Sequence, residues 1–454
     1  MATNVATSDL TELAGRFTGQ LLQPNDDGYD AARRVHNGLV DKRPALIARC
    51  RGVSDVVEAV NFGREAGLET AIRGGGHNVA GRATVDGGLM IDLSQMKGTY
   101  VDPAARTARA QGGTIWAEVN RDTQVHGLAV TGGLVSSTGV AGLTLGGGLG
   151  WLMGKYGLAA DNVRSIELVT ANGAVLNVTE REHPDLFWAL RGGGGNFGVA
   201  VSFEFQLHPV GPTVIGGLAA HPFTRAGEML TFFREFTSKL PDELSMAAGV
   251  IHAPDGTKLA AMLACHCGSL GDGEAATREL VKYGPPVMST IGPMPYSQVN
   301  AMLDAGYPRG ALNYWKSTFL ETLNADAVRT IVESYTAVPV PTSQIIIEHF
   351  HGAVARVPAG ATAFPYRREG YNLLILGQWL DPNDNERCIA WVRDTYNALE
   401  PFRASARYVN YLDDDEVNGL PAAYGANYQR LRELKTRYDP DNFFHLNQNI
   451  APLS

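Results

Sequence analysis

Ile72-Arg73-Gly74-Gly75-Gly76-His77-Asn78 is the stretch on which the reading of this chain turns. Three consecutive glycines let main chain approach a ligand more closely than any side chain would permit, and they reach the positive φ that other residues avoid. The imidazole of His77 is presented at the end of that approach. Two more clusters follow in the same region: Gly139-Val140-Ala141-Gly142-Leu143-Thr144-Leu145-Gly146-Gly147-Gly148-Leu149-Gly150 and Arg191-Gly192-Gly193-Gly194-Gly195-Asn196-Phe197-Gly198. Together they predict a large anionic cofactor wrapped by main chain, with His77 as its chemical partner. Inward-pointing N–H groups at Gly74, Gly75, Gly76, Gly139, Gly142, Gly146, Gly147 and Gly148 suit a pyrophosphate.

The bulk numbers narrow the class. A chain of 454 residues exceeds the size at which one core keeps growing, so two domains are expected. Apolar residues at 44% and charged residues at 19% are ordinary for a globular enzyme. With 38 basic against 47 acidic residues the net charge is −9, which argues against a nucleic-acid partner, since that role needs clustered positive charge. Four cysteines, Cys50, Cys265, Cys267 and Cys388, are too few for a disulfide framework. Cys265-His266-Cys267 lacks a second ligand pair at zinc spacing, so no metal is expected. No apolar run reaches the roughly 20 residues of a membrane span, and Met1 to Asp9 lacks a basic start with an apolar core. No membrane partner and a cytoplasmic location are the expectations.

Periodicity gives an α+β alternation. Ser54 reads as an N-cap for a helix over 55–66, with Val56, Val57, Val60 and Phe62 behind it and Gly67 as the stop. Strands are expected at 69–73, 88–93 and 107–111, and a helix over 115–124. Residues 165–179 read as a hairpin about Asn172-Gly173, 184–190 as a short helix opened by Pro184, and 199–207 as a half-buried strand. Beyond Pro212 the glycine clusters stop and aromatic-rich segments begin. There a helix is expected over 227–240 and sheet strands over 345–355 and 372–380. The division that follows is 1–212 for cofactor binding, 213–404 for substrate, and 405–454 returning to complete the first part.

The glycines fit no nicotinamide or phosphoryl-transfer pattern: Gly146 to Gly150 does not open a βαβ unit with an acid about 20 residues on, and no P-loop or Gly-x-Ser-x-Gly elbow occurs. The ordered set of Arg73 to His77, Gly139 to Gly150, Lys155-Tyr156-Gly157-Leu158-Ala159-Ala160-Asp161-Asn162, Asp185 to Gly198 and Tyr408-Val409-Asn410-Tyr411 resembles the berberine bridge enzyme-like FAD-linked oxidases, from Pro44 to Asn449. That resemblance implies a two-part FAD-binding domain of the vanillyl alcohol oxidase type and a substrate domain built on an antiparallel sheet.

By the same likeness His77 occupies the position that bonds covalently to the flavin. Many relatives carry a second link from a cysteine; the matching residue here is Val135, so attachment at His77 only is expected. In this the chain is similar to hydroxy-D-nicotine oxidase and bacterial polyketide-tailoring flavoenzymes. Arg73, Asn78, Gly81, Thr138, Gly150, Asn196, Gly198 and Val199 join the glycines above as expected cofactor contacts, with Asn447 and Asn449 at the pyrimidine edge. The likeness makes Tyr411 the expected base, with Tyr408 beside it. A phenol of pKa near 10 needs a neighbour's help near neutral pH.

Glu348, in Ile345-Ile346-Ile347-Glu348-His349-Phe350-His351, is an acid in an apolar strand, costly unless paired or functional. Alternation sets Glu348 and Phe350 on one face and His349 and His351 on the other, without saying which face meets the cofactor. Lys316 is a candidate to stabilise negative charge and Tyr156 to line the substrate cavity, while Trp151 and Trp379 read as packing.

The function expected is an FAD-dependent oxidase: a hydride passes from a small alcohol, amine or secondary metabolite to flavin, and dioxygen becomes hydrogen peroxide. A flavin monooxygenase or oxidative cyclase is the alternative within enzymes. A flavin-carrying binding protein without turnover is the alternative of another class. Substrate identity and oligomeric state stay open.

Overall fold

The computed structural model describes residues 7–453. Its first sheet sets the short apolar runs Leu46–Arg49, Leu89–Asp92 and Thr70–Arg73 side by side in parallel, with Gln20–Leu22 antiparallel at the edge. Such strands are buried on both faces, which is why they read as continuous hydrophobic runs. The helix Val53–Glu65 connects two of them and buries Val56, Ala59 and Val60 at helical spacing. It starts after Gly52 and has no side-chain cap, so Ser54 is not its N-cap. The carboxylate of Asp55 ties the preceding chain to this end, accepting the N–H groups of Arg51 and Thr18, each at 2.8 Å.

A second sheet, entirely antiparallel, orders Thr99–Asp102, Thr107–Gln111, Val199–Gln206, Val163–Val169 and Val175–Thr179. The last two strands are the hairpin expected from Asn172-Gly173, and Gly173 turns it at φ +78°. The helices Trp116–Gln124 and Pro184–Ala189 fall where capping and periodicity put them.

The third sheet is eight-stranded and antiparallel, and it begins at Thr213. Four successive strands are Leu244–His252, Gln344–Phe350, Gly370–Trp379 and Leu312–Leu320, in that order, the last at the sheet edge. The strand expected over 345–355 ends at Phe350, because Gly352 turns the chain at φ +68° and Ala353–Arg356 is a helical turn. The helix expected over 227–240 is Ala226–Thr237.

Alternation divides this sheet cleanly. Ile345, Ile347, Leu373 and Ile375 face the helices Ala226–Thr237, Ala325–Thr336 and Asn385–Ala398, against Phe233, Ile331 and Val392. Trp315, Ile346, Leu374 and Leu376 face the other way, toward Val79 and Val135 of the glycine-rich part.

From Arg407 the chain returns to that part. Val409, Leu412, Tyr424, Leu431 and Ile450 share one core with Trp116, Phe197 and Phe203. A buried charge fixes the return. Lys435 donates to the Asp439 carboxylate at 2.6 Å, to the Asn196 carbonyl at 2.8 Å and to the Phe444 carbonyl at 3.0 Å. Asp439 in turn accepts the N–H groups of Phe443 and Phe444 at 2.8 Å. Among the described residues no helix is long and apolar enough to cross a membrane, and no cluster of three or more potential ligands could hold a metal. The four cysteines are buried and unbridged.

Both partners of the Lys435–Asp439 pair are fully buried, and removing one strands the other. Asp439→Ala is expected to destabilise the fold by about 3–5 kcal/mol. Denaturant unfolding monitored by tryptophan fluorescence reads the loss; a change below about 1 kcal/mol would show that the pair does not hold the terminal segment.

Candidate active site

All three glycine clusters, the C-terminal segment and the inner face of the eight-stranded sheet converge on one cavity. What joins the first two clusters is a contact that only glycine can make. A Cβ on Gly75 would stand 2.5 Å from the Cα of Gly139, and one on Gly139 would stand 2.5 Å from the nitrogen of Gly75. Gly76 adds positive φ at +69° and turns the chain so that His77 borders the cavity.

Arg73 anchors the strand from which this loop departs. Its guanidinium meets Asp92, its register partner on the neighbouring parallel strand, at 2.9 and 2.6 Å, and donates to the Arg34 carbonyl at 3.1 Å. It does not border the cavity; its place is behind the loop.

Of the other residues singled out in the sequence, Gly74, Asn78, Thr138, Gly142, Gly198 and Asn447 line the cavity, and so do Gly194 and Gly195 of the third cluster. Gly81, Gly146, Gly147, Gly148, Gly150, Asn196, Val199 and Asn449 lie outside its lining. Several of these glycines are needed for packing instead. A Cβ on Gly146 would strike the Asn410 amide at 2.1 Å, and one on Gly150 the Gly132 carbonyl at 1.9 Å. Asn196 clamps the terminal segment, donating to the carbonyls of Gly193 and Gln448 and accepting the N–H of Ile450 at 2.9 Å.

His77 stacks on His36, with ring centroids 3.9 Å apart and planes 16° from parallel. Burial and then the neighbouring imidazole push its pKa down to about 3, so the ring is neutral. Burial likewise takes His36 down to about 4. The backbone N–H of His36 donates to the Gly76 carbonyl at 2.8 Å, tying this partner to the glycine loop.

At the sheet wall, Glu348 is buried and accepts two hydrogen bonds, from the Tyr411 hydroxyl at 3.2 Å and from the Asn372 amide at 2.6 Å. Asn372 stands directly opposite it in the ladder, so register alone brings the two together. Burial raises the Glu348 carboxyl from 4.5 to about 7, against the opposing pull of both hydrogen bonds. Burial, followed by the charge of Glu348, drives the Tyr411 phenol well above its ordinary range. Tyr408 also lines the cavity; its oxygen accepts the Gly148 N–H at 3.2 Å and the Asn410 amide at 2.9 Å, and burial raises its pKa.

The face left open by the sequence is thereby settled: Glu348 meets the cavity, while His349 and His351 stack on each other outside its lining, centroids 4.8 Å apart. Lys316 is not at the cavity. It alternates to the opposite face from Trp315 and pairs with Asp415 beside the Tyr314 and Tyr396 rings. Tyr156 stacks on His208 at 3.9 Å and does not line the cavity. Trp151 and Trp379 pack in cores. Sequence reasoning missed Arg82, Tyr307, Trp315 and Tyr424. Strand alternation carried a signal for Trp315 alone.

Comparison with known proteins decides the family. Residues 44–179 match the family described as "FAD binding domain", and residues 407–451 match "Berberine and berberine like". An FAD-linked oxidoreductase of Dictyostelium discoideum is 34% identical over 99% of this chain and 98% of its own length. The (R)-6-hydroxynicotine oxidase of Paenarthrobacter nicotinovorans is 31% identical over 96% of this chain and 97% of its own. The chain belongs to the berberine bridge enzyme-like FAD-linked oxidoreductases. The crystal structure of 6-hydroxy-D-nicotine oxidase from Arthrobacter nicotinovorans superposes with a TM-score of 0.88 at 30% identity, covering 96% of this chain and 98% of that one. A xylooligosaccharide oxidase from Myceliophthora thermophila, at 23% identity over 100% of both chains, shares the fold with a TM-score of 0.86.

This member of the family binds FAD, and its cavity fits that cofactor. His77 Nε2, Arg82 Nε, Asn447 Oδ1 and the Tyr424 hydroxyl are buried, belong to residues that line the cavity and have no hydrogen-bond partner among the described residues. Each unmade bond costs about 1–3 kcal/mol unless a bound group supplies it. A Cβ at Gly142 or Gly195 would meet nothing within 4 Å, so these main-chain units open onto free space.

Gly139→Ala tests the cradle. Gly139 has φ −72°, which alanine accepts, so the backbone clash at Gly75 is the whole effect. Overpacking of this kind costs about 1–3 kcal/mol. The purified variant is expected to retain less than about half the wild-type flavin, measured by the visible to ultraviolet absorbance ratio; full flavin content would contradict the close approach.

Proposed function

We propose that this oxidoreductase is an oxidase of a small alcohol, amine or secondary metabolite, with FAD attached at His77 only and with Tyr411 and Glu348 taking the substrate's proton. The observation that carries the reading is the pair itself: a carboxyl held near neutrality by burial, with a phenol hydrogen-bonded to it at the cavity wall. In the same reading residues 1–212 and 405–454 hold the cofactor and 213–404 the substrate.

His77 suits attachment because its ring is neutral, its Nε2 is unengaged, and stacking on His36 fixes its plane. A single link is supported at Val135, which lines the cavity without a nucleophile; among the described residues no cysteine borders the cavity. Bound there, FAD would supply a two-electron acceptor for the substrate's C–H hydrogen, with dioxygen as the final oxidant and hydrogen peroxide as its product.

The protein's part is proton transfer. A phenol whose pKa is raised by burial and by a neighbouring carboxylate does not rest as phenolate near neutral pH. Tyr411 therefore acts as a relay: its oxygen takes the O–H or N–H proton of the substrate while its own proton moves to Glu348. Asn372 holds the carboxylate in line by donating to the second oxygen. Tyr408, fixed by Gly148 and Asn410, sets the position of Tyr411, whose ring it meets edge to face at 4.8 Å.

The sign of the pH dependence follows. Glu348 must be ionised to accept a proton, and its pKa is raised from 4.5 to about 7, so flavin reduction should rise with pH through about 7. The stability contribution runs the other way: it is complete below the unfolded value near 4.5 and lost as pH rises through about 7. In anaerobic stopped-flow experiments Glu348→Gln should slow reduction by about 10²–10⁴-fold and abolish the acid limb, whereas Tyr411→Phe should slow it but keep the limb. An acid limb near 7 surviving in Glu348→Gln would remove Glu348 from the proposal. Turnover without stoichiometric peroxide would exclude the oxidase outcome.

A further inference from the structure

The cavity wall built by residues 213–404 has a composition that selects a substrate class. Its sheet face contributes Trp315, Ile346 and Leu374, with Glu348 as the one ionisable carboxyl, and the adjoining loop adds Leu303 and Tyr307. Tyr307, Trp315 and Tyr411 form a chain of edge-to-face rings, with centroids 6.1 Å apart at both contacts. The indole N–H of Trp315 is already donated to Asn313 at 3.1 Å, so Trp315 offers the cavity only its ring. The Asn372 N–H2 group, on the same face, is turned to Glu348, and the Asn410 N–H2 group donates to the Leu143 carbonyl and to Tyr408.

Building on the oxidase reading above, we propose that the substrate is a flat, largely apolar aryl or heteroaryl molecule carrying a single O–H or N–H group beside the oxidised carbon, an aryl carbinol or arylmethyl amine, and not a carbohydrate. A sugar brings a hydroxyl on nearly every carbon, and each one buried without a partner costs about 1–3 kcal/mol. This wall offers the Glu348–Tyr411 pair and the Tyr307 hydroxyl, enough for one protic group and far too few for a saccharide. An aromatic ring, by contrast, gains from the Trp315 and Tyr307 faces through burial and edge-to-face contact, the latter about 0.5–1.5 kcal/mol per pair. The chemistry balances: the substrate C–H hydrogen leaves with its electron pair for FAD, the O–H or N–H proton goes to Glu348 through Tyr411, and a carbonyl or imine remains; dioxygen takes up the two electrons and two protons as hydrogen peroxide.

The test mixes the flavin-loaded protein anaerobically with 4-methoxybenzyl alcohol, N-methylbenzylamine and cellobiose and follows bleaching of the flavin absorbance. At least one aryl probe is expected to reduce the flavin at concentrations at least about tenfold below any at which cellobiose acts. Trp315→Ala should weaken binding of that probe by about tenfold, as read from the concentration dependence of bleaching, and Trp315→Phe should restore it. Equal or better reduction by cellobiose, or bleaching by neither aryl probe, overturns the substrate class while leaving the oxidase reading in place. Protein purified without flavin overturns the oxidase reading itself.

Discussion

The reciprocal contact of Gly75 with Gly139 is the constraint on which the site depends. Two main-chain segments from different parts of the chain meet at distances that no Cβ survives, 2.5 Å in either direction. Behind that contact the Arg73–Asp92 pair locks the strand that delivers the triple glycine. In front of it His77 borders the cavity with its imidazole stacked and neutral. The loop is thus held from both sides, with the His77 ring fixed at the cavity.

The opposite wall follows a different logic. An eight-stranded antiparallel sheet sorts its residues by alternation, so one face packs helices and the other is free to meet a ligand. Glu348 lies in the ligand-facing set, and its ladder neighbour Asn372 supplies the hydrogen bond that makes a buried carboxyl tolerable. The terminal segment then crosses back and sets Tyr411 against Glu348. Three regions distant in sequence each contribute one element, and the Lys435–Asp439–Asn196 network holds the third in place.

Much of this was legible in the sequence, for reasons that can be named. Glycine runs report backbone geometry directly, so the cradle at residues 74–76 and 139–142 and the place of His77 at its end could be read from residue type. Turn chemistry gave the hairpin at Asn172-Gly173 and periodicity the main helices. What escaped was set by tertiary neighbours. Gly146 and Gly150 are glycines because Asn410 and the Gly132 carbonyl crowd them, and nothing local distinguishes that from ligand contact. Arg73 stood among the expected cofactor contacts, but Asp92 beside it holds it behind the loop. Ser54 resembles a cap, yet the helix starts after Gly52 without a side-chain cap, and Asp55 ties down the preceding chain at Arg51 and Thr18 instead. Lys316 is drawn away by Asp415, 99 residues further on. Tyr307 and Tyr424 carried no pattern, since only folding brings them to the cavity.

The claim at the centre of this account is that the glycine cradle exists to present His77 to FAD. Acid denaturation followed by mass spectrometry of the whole chain and of its proteolytic peptides tests it most directly. The account predicts one flavin per chain, carried on the peptide that contains His77 and on no other. Complete release of FAD into the acid supernatant, or flavin on a peptide lacking His77, would contradict it.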